Sequence, residues 1–376
     1  MRRATLAPLC LVVIGCCMLG CGGKEAGKPA RVTAREPTLA PDGSATVSVR
    51  SVGDEEYVVR DGEKVAGPFD RVTRLLVSPG GRSGVVARQG DRWTVSVGGK
   101  TVGSEFESAD DLVFSADGSS FVFRAVVDGE PTVIKDGTPV DKGYDEVSSL
   151  SLSPDGDSLA YVGWKGGEVF VVVDGKPASE RYSRGDMARI GTPSLGPAPG
   201  GGPRPLAFTV RLQTDSFVVK NGNRIGPTYR RAGDPIWSPD GRSVVFPARL
   251  AGKWYVIEDE TKVAGPFDQI AHLGFETGTG KLVVAARVED KWRILRGGET
   301  VVSDFEATEV RDPIFGPGGA GAFKARFGET WSVVKGGERL AGSYEEVSRL
   351  APMAGGGAFA FAARMGKNVE RKVVDW

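Results

Sequence analysis

The sequence has few of the residues on which most metal and catalytic sites depend. Its 376 residues include four cysteines and one histidine, and all four cysteines fall within the first 21 residues. The rest of the chain therefore offers no thiolate for a disulfide framework, a metal site or a nucleophile. Because His272 is the only histidine, a site of two or three histidines cannot form within one chain. We expect no metal and no cofactor.

Familiar catalytic motifs are missing as well. The sequence contains no Gly-x-Ser-x-Gly nucleophile elbow and no EF-hand loop for calcium. We interpret His272, between two predicted strands, as a loop or packing residue. Lys+Arg and Asp+Glu are balanced at 48 each, which argues against the basic footprint of a nucleic-acid-binding protein. The acidic residues leave open a carboxylate pair of the kind that glycosidases use.

Only one hydrophobic run is long, from Leu6 to Leu19, and it follows Arg2 and Arg3. The preceding positive charge and the length of the run are typical of a signal peptide, and the run is too short for a comfortable membrane span. We therefore predict a signal peptide over residues 1–20 and an exported protein. The small and polar residues that follow predict a flexible tether over residues 21–35.

The end of this segment, Met18-Leu19-Gly20-Cys21, resembles a bacterial lipobox. In that family the signal peptide is cut before the cysteine, so the resemblance implies a lipid on Cys21 and attachment to the membrane through that anchor only. Val13-Ile14-Gly15-Cys16 is a competing match with the better residue preferences. We favour Cys21 because cleavage before Cys16 would leave apolar residues in the tether. Secretion without a lipid is the alternative.

A short turn motif recurs through the rest of the chain. Ser238-Pro239-Asp240-Gly241 suits a type I β-turn, because proline presets φ at the second position and glycine suits the fourth. β-Branched and aromatic residues flank the turn, as they do in strands. Related turns occur at eight other places, which are Ala40–Gly43, Ser78–Gly81, Ser115–Gly118, Ser153–Gly156, Pro197–Gly202, Thr277–Gly280, Gly316–Gly319 and Pro352–Gly355.

Three other markers keep the same spacing. A hairpin signal such as Asp61-Gly62 follows seven of the turns, whereas the copy at Glu258-Asp259 lacks the glycine. Arginine ends the second strand of seven units, at Arg50, Arg88, Arg211, Arg249, Arg287, Arg326 and Arg364. An aromatic residue recurs at steps of 37, 38, 38, 47, 38, 38 and 39 residues, at Phe69, Phe106, Tyr144, Tyr182, Tyr229, Phe267, Phe305 and Tyr344.

Each repeat unit therefore holds four short strands. The second strand is apolar on both faces, as Val244 and Val245 illustrate, so a layer must cover it on each side. Four-stranded units of this kind are the blades of a β-propeller. We predict an all-β propeller over residues 36–376 with nine repeat units, and eight or nine blades because the fifth copy is weak. The last unit lacks a fourth strand, and we expect Ala30–Arg35 to close the ring by pairing with the C-terminal strand.

The residues of the most regular copy carry a family resemblance. Trp237–Arg242, followed by Val244–Phe246, resembles the WD-repeat-like unit of TolB-type propellers and of prolyl oligopeptidase relatives. The resemblance covers about residues 36–376 and implies the fold but no activity, because propellers host many unrelated functions. Four tryptophans begin third strands, and we interpret them as packing between blades rather than as a sugar-binding ladder. They are Trp93, Trp254, Trp292 and Trp331.

One rim of the propeller is predicted to alternate arginine with carboxylate. The second strand ends on the same rim as the fourth, where an acid follows the aromatic residue in six units. We interpret this pattern as a belt of ion pairs, each worth about 0–1 kcal/mol when exposed. The acids are Asp70, Glu107, Asp145, Asp268, Glu306 and Glu345.

The pattern fails in the sector of units three to five, where the 47-residue step also falls. Val126 and Trp164 stand in place of arginine, and Ser183 and Arg230 stand in place of the acid. Extra loops on a repeat scaffold often carry binding. We predict that this sector binds an acidic or anionic partner through Trp164, Arg181, Arg184, Arg189, Arg224, Arg230 and Arg231.

Together these features predict a non-enzymatic binding or scaffolding lipoprotein of the bacterial cell envelope. We expect a monomer that acts through a propeller rim on an envelope protein or an anionic ligand. Two alternatives stay open. One is an envelope glycosidase or lyase that uses rim carboxylates, and the other is a purely structural repeat protein.

Overall fold

Nine antiparallel sheets form a ring around a central axis in the computed structural model. The structure describes residues 33–34, 37–40, 42–43, 45–198, 202–353, 355–366 and 368–376. The inner strands of consecutive blades contact one another, and the strands of each blade follow one another outwards in chain order. The protein is thus a nine-bladed β-propeller, which confirms the higher of the two predicted blade counts. In these residues no helix is long and apolar enough to cross a membrane.

The strands are given blade by blade, from the inner to the outer edge. Blade 1 comprises Thr33–Ala34, Thr38–Leu39, Thr46–Val52, Glu55–Arg60 and Glu63–Phe69. Blade 2 comprises Arg71–Val77, Ser83–Gln89, Arg92–Val97 and Lys100–Phe106. Blade 3 comprises Ser108–Phe114, Phe121–Val127, Glu130–Lys135 and Thr138–Lys142. Blade 4 comprises Glu146–Leu152, Leu159–Lys165, Glu168–Val173, Lys176–Pro177 and Tyr182–Ser183. Blade 5 comprises Arg189–Ile190, Ser194–Leu195, Leu206–Leu212, Asp215–Lys220 and Asn223–Tyr229. Blade 6 comprises Arg231–Ala232, Ile236–Trp237, Val244–Leu250, Lys253–Glu258 and Thr261–Phe267. Blade 7 comprises Gln269–Phe275, Leu282–Val288, Lys291–Arg296 and Glu299–Phe305. Blade 8 comprises Glu309–Phe315, Gly321–Phe327, Thr330–Lys335 and Glu338–Arg339. Blade 9 comprises Glu346–Val347, Ala351–Pro352, Ala358–Met365 and Asn368–Asp375. Single 3₁₀ turns occupy Arg184–Asp186 and Pro317–Gly319.

The recurring turn has the predicted geometry. The amide of Gly241 donates to the carbonyl of Ser238 over 2.8 Å, which closes a four-residue turn. The Ser238 hydroxyl donates to Asp240 over 2.6 Å and accepts from the amide of Ser243 over 3.0 Å. Gly241 has a φ of +70°, a value that glycine adopts without strain. Local hydrogen bonds therefore stabilise the motif that marks each repeat.

In five blades the hairpin between the third and fourth strands has an Asp or Asn in the left-handed region, and in three others a glycine takes that position. Asp61, for example, has a φ of 49°, and its carboxylate accepts from the amide of Thr46 over 2.8 Å. In the sixth blade Asp259 takes this place with a φ of 50°, and its carboxylate accepts from the amide of Val244 over 3.1 Å. The predicted pair at Glu258-Asp259 is thus one residue early, because Glu260 rather than Asp259 stands where the other copies have glycine.

The periodic aromatic residue joins consecutive blades from blade 1 to blade 9. In five places it packs against an aromatic side chain on the second strand of the following blade, mostly edge to face, an arrangement that aromatic rings favour. The Tyr229 ring lies 5.7 Å from that of Phe246, and the Phe305 ring lies 5.2 Å from that of Phe323. The other three pairs are Phe106–Phe123, Tyr144–Tyr161 and Tyr344–Phe361. The repeat marker is therefore a joint between blades.

The tryptophans of the third strands support these joints. Trp93, Trp254 and Trp292 each stand opposite the periodic aromatic of the neighbouring fourth strand. Trp331 bridges to Tyr344 in the same way. Trp292 is 1% exposed. This placement agrees with packing as the role of these side chains.

In the described residues, the first and last blades meet through side chains rather than through a shared strand. Thr33–Ala34, the described part of the expected closing strand, pairs with Arg50 and Ser51 inside blade 1. Asn368–Asp375 pairs only with Ala358–Met365 among the described residues. The two blades are joined instead by a buried apolar cluster of Leu39, Ala351, Ala360 and Ala362. For the described residues, the expected pairing of N- and C-terminal strands is therefore corrected to a packed interface; residues 30–32 and 35 of the expected closing strand lie outside them.

Candidate functional site: a basic groove between blades 4 and 5

The rim arginines and acids act mainly on the turn between the second and third strands. In blade 2, Gly90 donates its amide to Asp70 over 2.5 Å, and its carbonyl accepts from Arg88 over 2.8 Å. The same turn amide reaches the rim acid in four other blades, in the pairs Gly129–Glu107, Gly166–Asp145, Glu289–Asp268 and Gly366–Glu345. In the described part of the chain, Arg364 with Glu345 is the one direct pair between a rim arginine and a rim acid. The predicted belt of ion pairs is thus mostly a set of clamped turns.

Blade 4 has the rim acid but not the rim arginine that holds this turn. A groove of about 500 Å³ opens where blades 4 and 5 meet. Trp164 is the penultimate residue of the second strand of blade 4, and seven other blades have arginine at the matching place in the repeat. The guanidinium of Arg184 stacks over the Trp164 ring at 4.9 Å, and its Nη2 lies 3.7 Å from Glu146. The Ser183 hydroxyl accepts a hydrogen bond from the amide of Gly185 over 3.0 Å and so caps the 3₁₀ turn Arg184–Asp186. The 3₁₀ turn therefore places a stacked arginine on one wall.

The opposite wall belongs to blade 5. The short strand Arg189–Ile190 pairs with Val210 and Arg211, so Arg189 and Arg211 stand side by side. Both side chains line the groove, and Arg211 pairs with Asp234 over 3.0 Å. Arg189 is exposed and makes no ion pair with any described residue. Three arginines and one glutamate thus line the groove, which leaves it basic.

Met187 is the most exposed apolar side chain that lines the groove. It ends the 3₁₀ turn with a φ of 54° and is 68% exposed, which is unusual for a large apolar side chain. Ala188 and Ile190 beside it are buried, so they fix the backbone of this segment. The groove therefore combines guanidinium groups with an exposed thioether and an indole ring, a mixture suited to an acidic segment with an apolar side chain.

The structure brings together three of the seven predicted binding residues, namely Trp164, Arg184 and Arg189. Arg224 lines a separate outer cleft of about 250 Å³ and lies over Phe217. Arg181 lies over Phe170, 4.3 Å from the ring centroid, and pairs with Glu168 over 3.0 Å. The groove also contains Met187 and Arg211, which were not among the predicted residues.

Arg230 and Arg231 lie apart from the groove, Arg230 in the connection between blades 5 and 6 and Arg231 at the start of the inner strand of blade 6. Both are exposed, and neither makes an ion pair with a described residue. Arg231 stands opposite Arg249 in the sheet of blade 6. These two residues therefore form a second basic surface rather than a wall of the groove.

The insertion that lengthens this sector is fixed at the opposite rim. Arg204 pairs with Asp155 in the turn of blade 4 and lies 3.5 Å from Asp157. The hydrogen bond from Ser153, together with Arg204, lowers the pKa of Asp155 to about 2. The described part of the insertion thus bridges two blades.

Candidate chemistry outside the groove is limited. His272 lies within the inner strand of blade 7 rather than in a loop. Among the described residues no group of three or more His, Cys, Asp and Glu side chains could hold a metal ion. The predicted signal peptide and Cys21, with the competing Cys16, lie outside the described residues.

No family model matches the chain, and no curated protein matches it. Solved structures with a similar fold include an oligogalacturonate lyase in complex with manganese, which is 13% identical with a TM-score of 0.44 over 81% of this chain and 96% of that one. TolB from Acinetobacter baumannii is 13% identical with a TM-score of 0.34 over 83% and 79%. A prolyl endopeptidase is 11% identical with a TM-score of 0.43, and the match spans 92% of this chain and half of that one. These likenesses concern the propeller fold alone.

Proposed function

We propose that the protein is a non-enzymatic binding or scaffolding lipoprotein of the bacterial cell envelope, which holds an acidic partner in the groove between blades 4 and 5. The observation that carries this proposal is the arrangement of Arg184, Arg189 and Arg211 around an exposed Met187. An exposed guanidinium without an ionic partner in the described chain can form a bidentate pair with a carboxylate.

The partner is expected to be a protein segment with acidic side chains and at least one apolar residue. Trp164 and Met187 give the groove apolar surface that a simple inorganic anion would not use. Arg189 supplies the cation that no described side chain neutralises. Charge complementarity would raise the rate of association and make it depend on salt.

The attachment to the membrane is proposed from the sequence. A lipid on Cys21 would place the propeller at the membrane surface through the tether of residues 21–35. The substitution Cys21→Ala should release the protein from the membrane fraction. If Cys21→Ala protein still sediments with membranes, Cys21 is not the anchor.

A photo-crosslinking amino acid at position 187 tests the groove directly. It should trap a partner in intact cells, whereas the same amino acid at position 365 should not, because Met365 is 59% exposed but lies in blade 9. Arg189→Glu should reduce the yield of the adduct at least about tenfold. The matched control is Arg242→Glu, since Arg242 is 88% exposed in the turn of blade 6. Equal adducts from positions 187 and 365 would contradict the proposal.

A further inference from the structure

A second cavity lies against the inner strands of blades 7, 8 and 9, away from the basic groove. Its volume is about 280 Å³, close to the lower end of the roughly 300–1,000 Å³ typical of small-molecule sites. The strands Gln269–Phe275 and Glu309–Phe315 form two of its walls, and Arg349 and Leu350 form the third. Three neighbouring blades thus enclose a space large enough for a small organic molecule.

The only histidine of the chain, His272, lines this cavity. His272 is half-buried, and neither ring nitrogen makes a hydrogen bond with a described residue. Gly274 keeps the space beside the ring open, because a Cβ atom there would lie 3.0 Å from Nε2 of His272. A half-buried imidazole normally satisfies its donor and acceptor with water or another group. The cavity therefore presents an unused hydrogen-bonding side chain.

The charges around the cavity leave one cation without a partner. Asp312 pairs with Lys324 over 2.9 Å. Glu276 and Arg296 form a bidentate pair over 2.9 and 3.0 Å, and their side chains are only 10% and 15% exposed. Arg349 is exposed, and its guanidinium makes no hydrogen bond or ion pair with any described residue. Among the described residues, the net uncompensated charge at this site is therefore that of one guanidinium.

The remaining walls are apolar. Phe275, Ile314 and Phe315 line the cavity, and the guanidinium of Arg296 lies behind Phe315, 5.1 Å from the ring centroid. The burial of apolar surface favours binding. An aromatic or branched aliphatic group would use these walls, whereas a bare inorganic anion would leave them wet.

We propose that this axial cavity binds a small organic carboxylate with an apolar body, whose carboxylate pairs with Arg349 and accepts a hydrogen bond from His272. Burial lowers the pKa of His272, although the charge of Asp312 opposes that effect and the charge of Arg349 adds to it. The imidazole is therefore neutral at pH 7 and keeps one N–H donor for the carboxylate. A dicarboxylate would leave a second charge facing the apolar walls, so a monocarboxylate fits better.

The experiment uses the full chain in detergent, purified without a histidine tag and labelled at the histidine Cε1 carbon, so that one NMR signal reports on His272. The probes are 3-phenylpropionate, its uncharged amide and acetate. We expect saturable shifts of the His272 signal with 3-phenylpropionate, and at least about tenfold weaker binding of both the amide and acetate. Arg349→Gln should weaken binding of 3-phenylpropionate by a similar factor, whereas Arg349→Lys should weaken it less.

The matched control variant is Arg71→Gln, because Arg71 is an exposed arginine on the inner strand of blade 2 without an ion pair in the described chain. It should bind 3-phenylpropionate as the unmodified protein does. Two results would overturn the proposal: no shift of the His272 signal at saturating probe, or the same affinity in Arg349→Gln as in Arg71→Gln. Equal affinity for acetate and 3-phenylpropionate would overturn the assignment of an apolar ligand body.

Discussion

The guanidinium of Arg371 donates two hydrogen bonds to the carbonyl oxygen of Gly43, over 2.9 and 2.6 Å, and so links the last blade to the first. The two residues are 328 positions apart in the chain. No strand is shared between blades 1 and 9 in the described residues, so this contact and the apolar cluster beside it hold the ring closed. Closure by side chains makes the stability of the ring depend on individual contacts.

Arg371→Lys should therefore lower the free energy of unfolding by about 1 kcal/mol, because lysine cannot donate two hydrogen bonds from one plane. Urea denaturation followed by tryptophan fluorescence gives the value. Lys372→Gln is the control, since Lys372 follows on the same strand and pairs with exposed Glu370 rather than with blade 1 in the described residues. If Arg371→Lys is as stable as the control variant, the hydrogen bonds to Gly43 do not hold the ring.

The aromatic joint between blades 5 and 6 should show coupling. Tyr229 and Phe246 are 1% and 0% exposed, and their rings pack at 5.7 Å. Tyr229→Ala should cost about 3–5 kcal/mol, as truncation of a buried aromatic residue usually does. A double-mutant cycle with Phe246→Leu should give a coupling of about 0.5–1.5 kcal/mol. Strict additivity would mean that the two rings do not form the joint.

The buried pair of Glu276 and Arg296 should control acid stability. Burial by itself raises the pKa of Glu276, but the hydrogen bonds from Arg296 and Thr279 and the nearby positive charges outweigh it, so the pKa is lowered. The unfolded chain then binds a proton on Glu276 at a higher pH than the folded protein does. The resulting stabilisation is present above about pH 4.5 and is lost as the pH falls through the folded pKa.

Glu276→Gln removes this dependence and leaves Arg296 buried without a carboxylate, which should cost about 3 kcal/mol at pH 7. Denaturant titrations of both proteins between pH 3 and 7 measure the effect. The difference in the free energy of unfolding between the two proteins should become smaller towards low pH. A difference that stays constant would mean that the pKa of Glu276 is not lowered in the folded protein.

His272 should titrate below the usual histidine range. Burial lowers its pKa from the ordinary value of 6.5, so the unfolded chain takes up the proton first as the pH falls. Stability should decrease as the pH falls below about 6.5 and level off once the folded pKa is passed. The single histidine NMR signal gives the pKa directly, and His272→Gln should remove this component. A measured pKa of 6.5 or above would contradict the burial of the ring.

Much of the fold could be predicted because its markers are local. The Ser238–Gly241 turn closes through its own hydrogen bonds, and the periodic aromatic residues repeat because each joint from blade 1 to blade 9 contains one such ring. The closing strand could not be predicted in the same way. Thr33 and Ala34 form a short extended segment, and only the packed ring decides that Arg50 and Ser51 are their partners.

The groove was predictable only in part. Trp164 is visible in the sequence as a break in the arginine pattern, and Arg184 and Arg189 follow in the same sector. Arg211 keeps the repeat pattern, so nothing in the sequence indicates that it stands beside Arg189 across a lengthened insertion. Arg230 and Arg231 are close in sequence to the groove residues but belong to the next blade junction. Adjacency in a propeller is set by strand register, which charge clustering in the sequence does not reveal.

If the arginines of the groove hold an acidic partner, the yield of the crosslinked adduct at position 187 depends on the charge at position 189. The yield should be high in the unmodified background, unchanged by Arg242→Glu, and reduced at least about tenfold by Arg189→Glu, because a glutamate at that position would repel the partner's carboxylates. An adduct of equal yield in the Arg189→Glu background would contradict the binding of an acidic partner by these arginines.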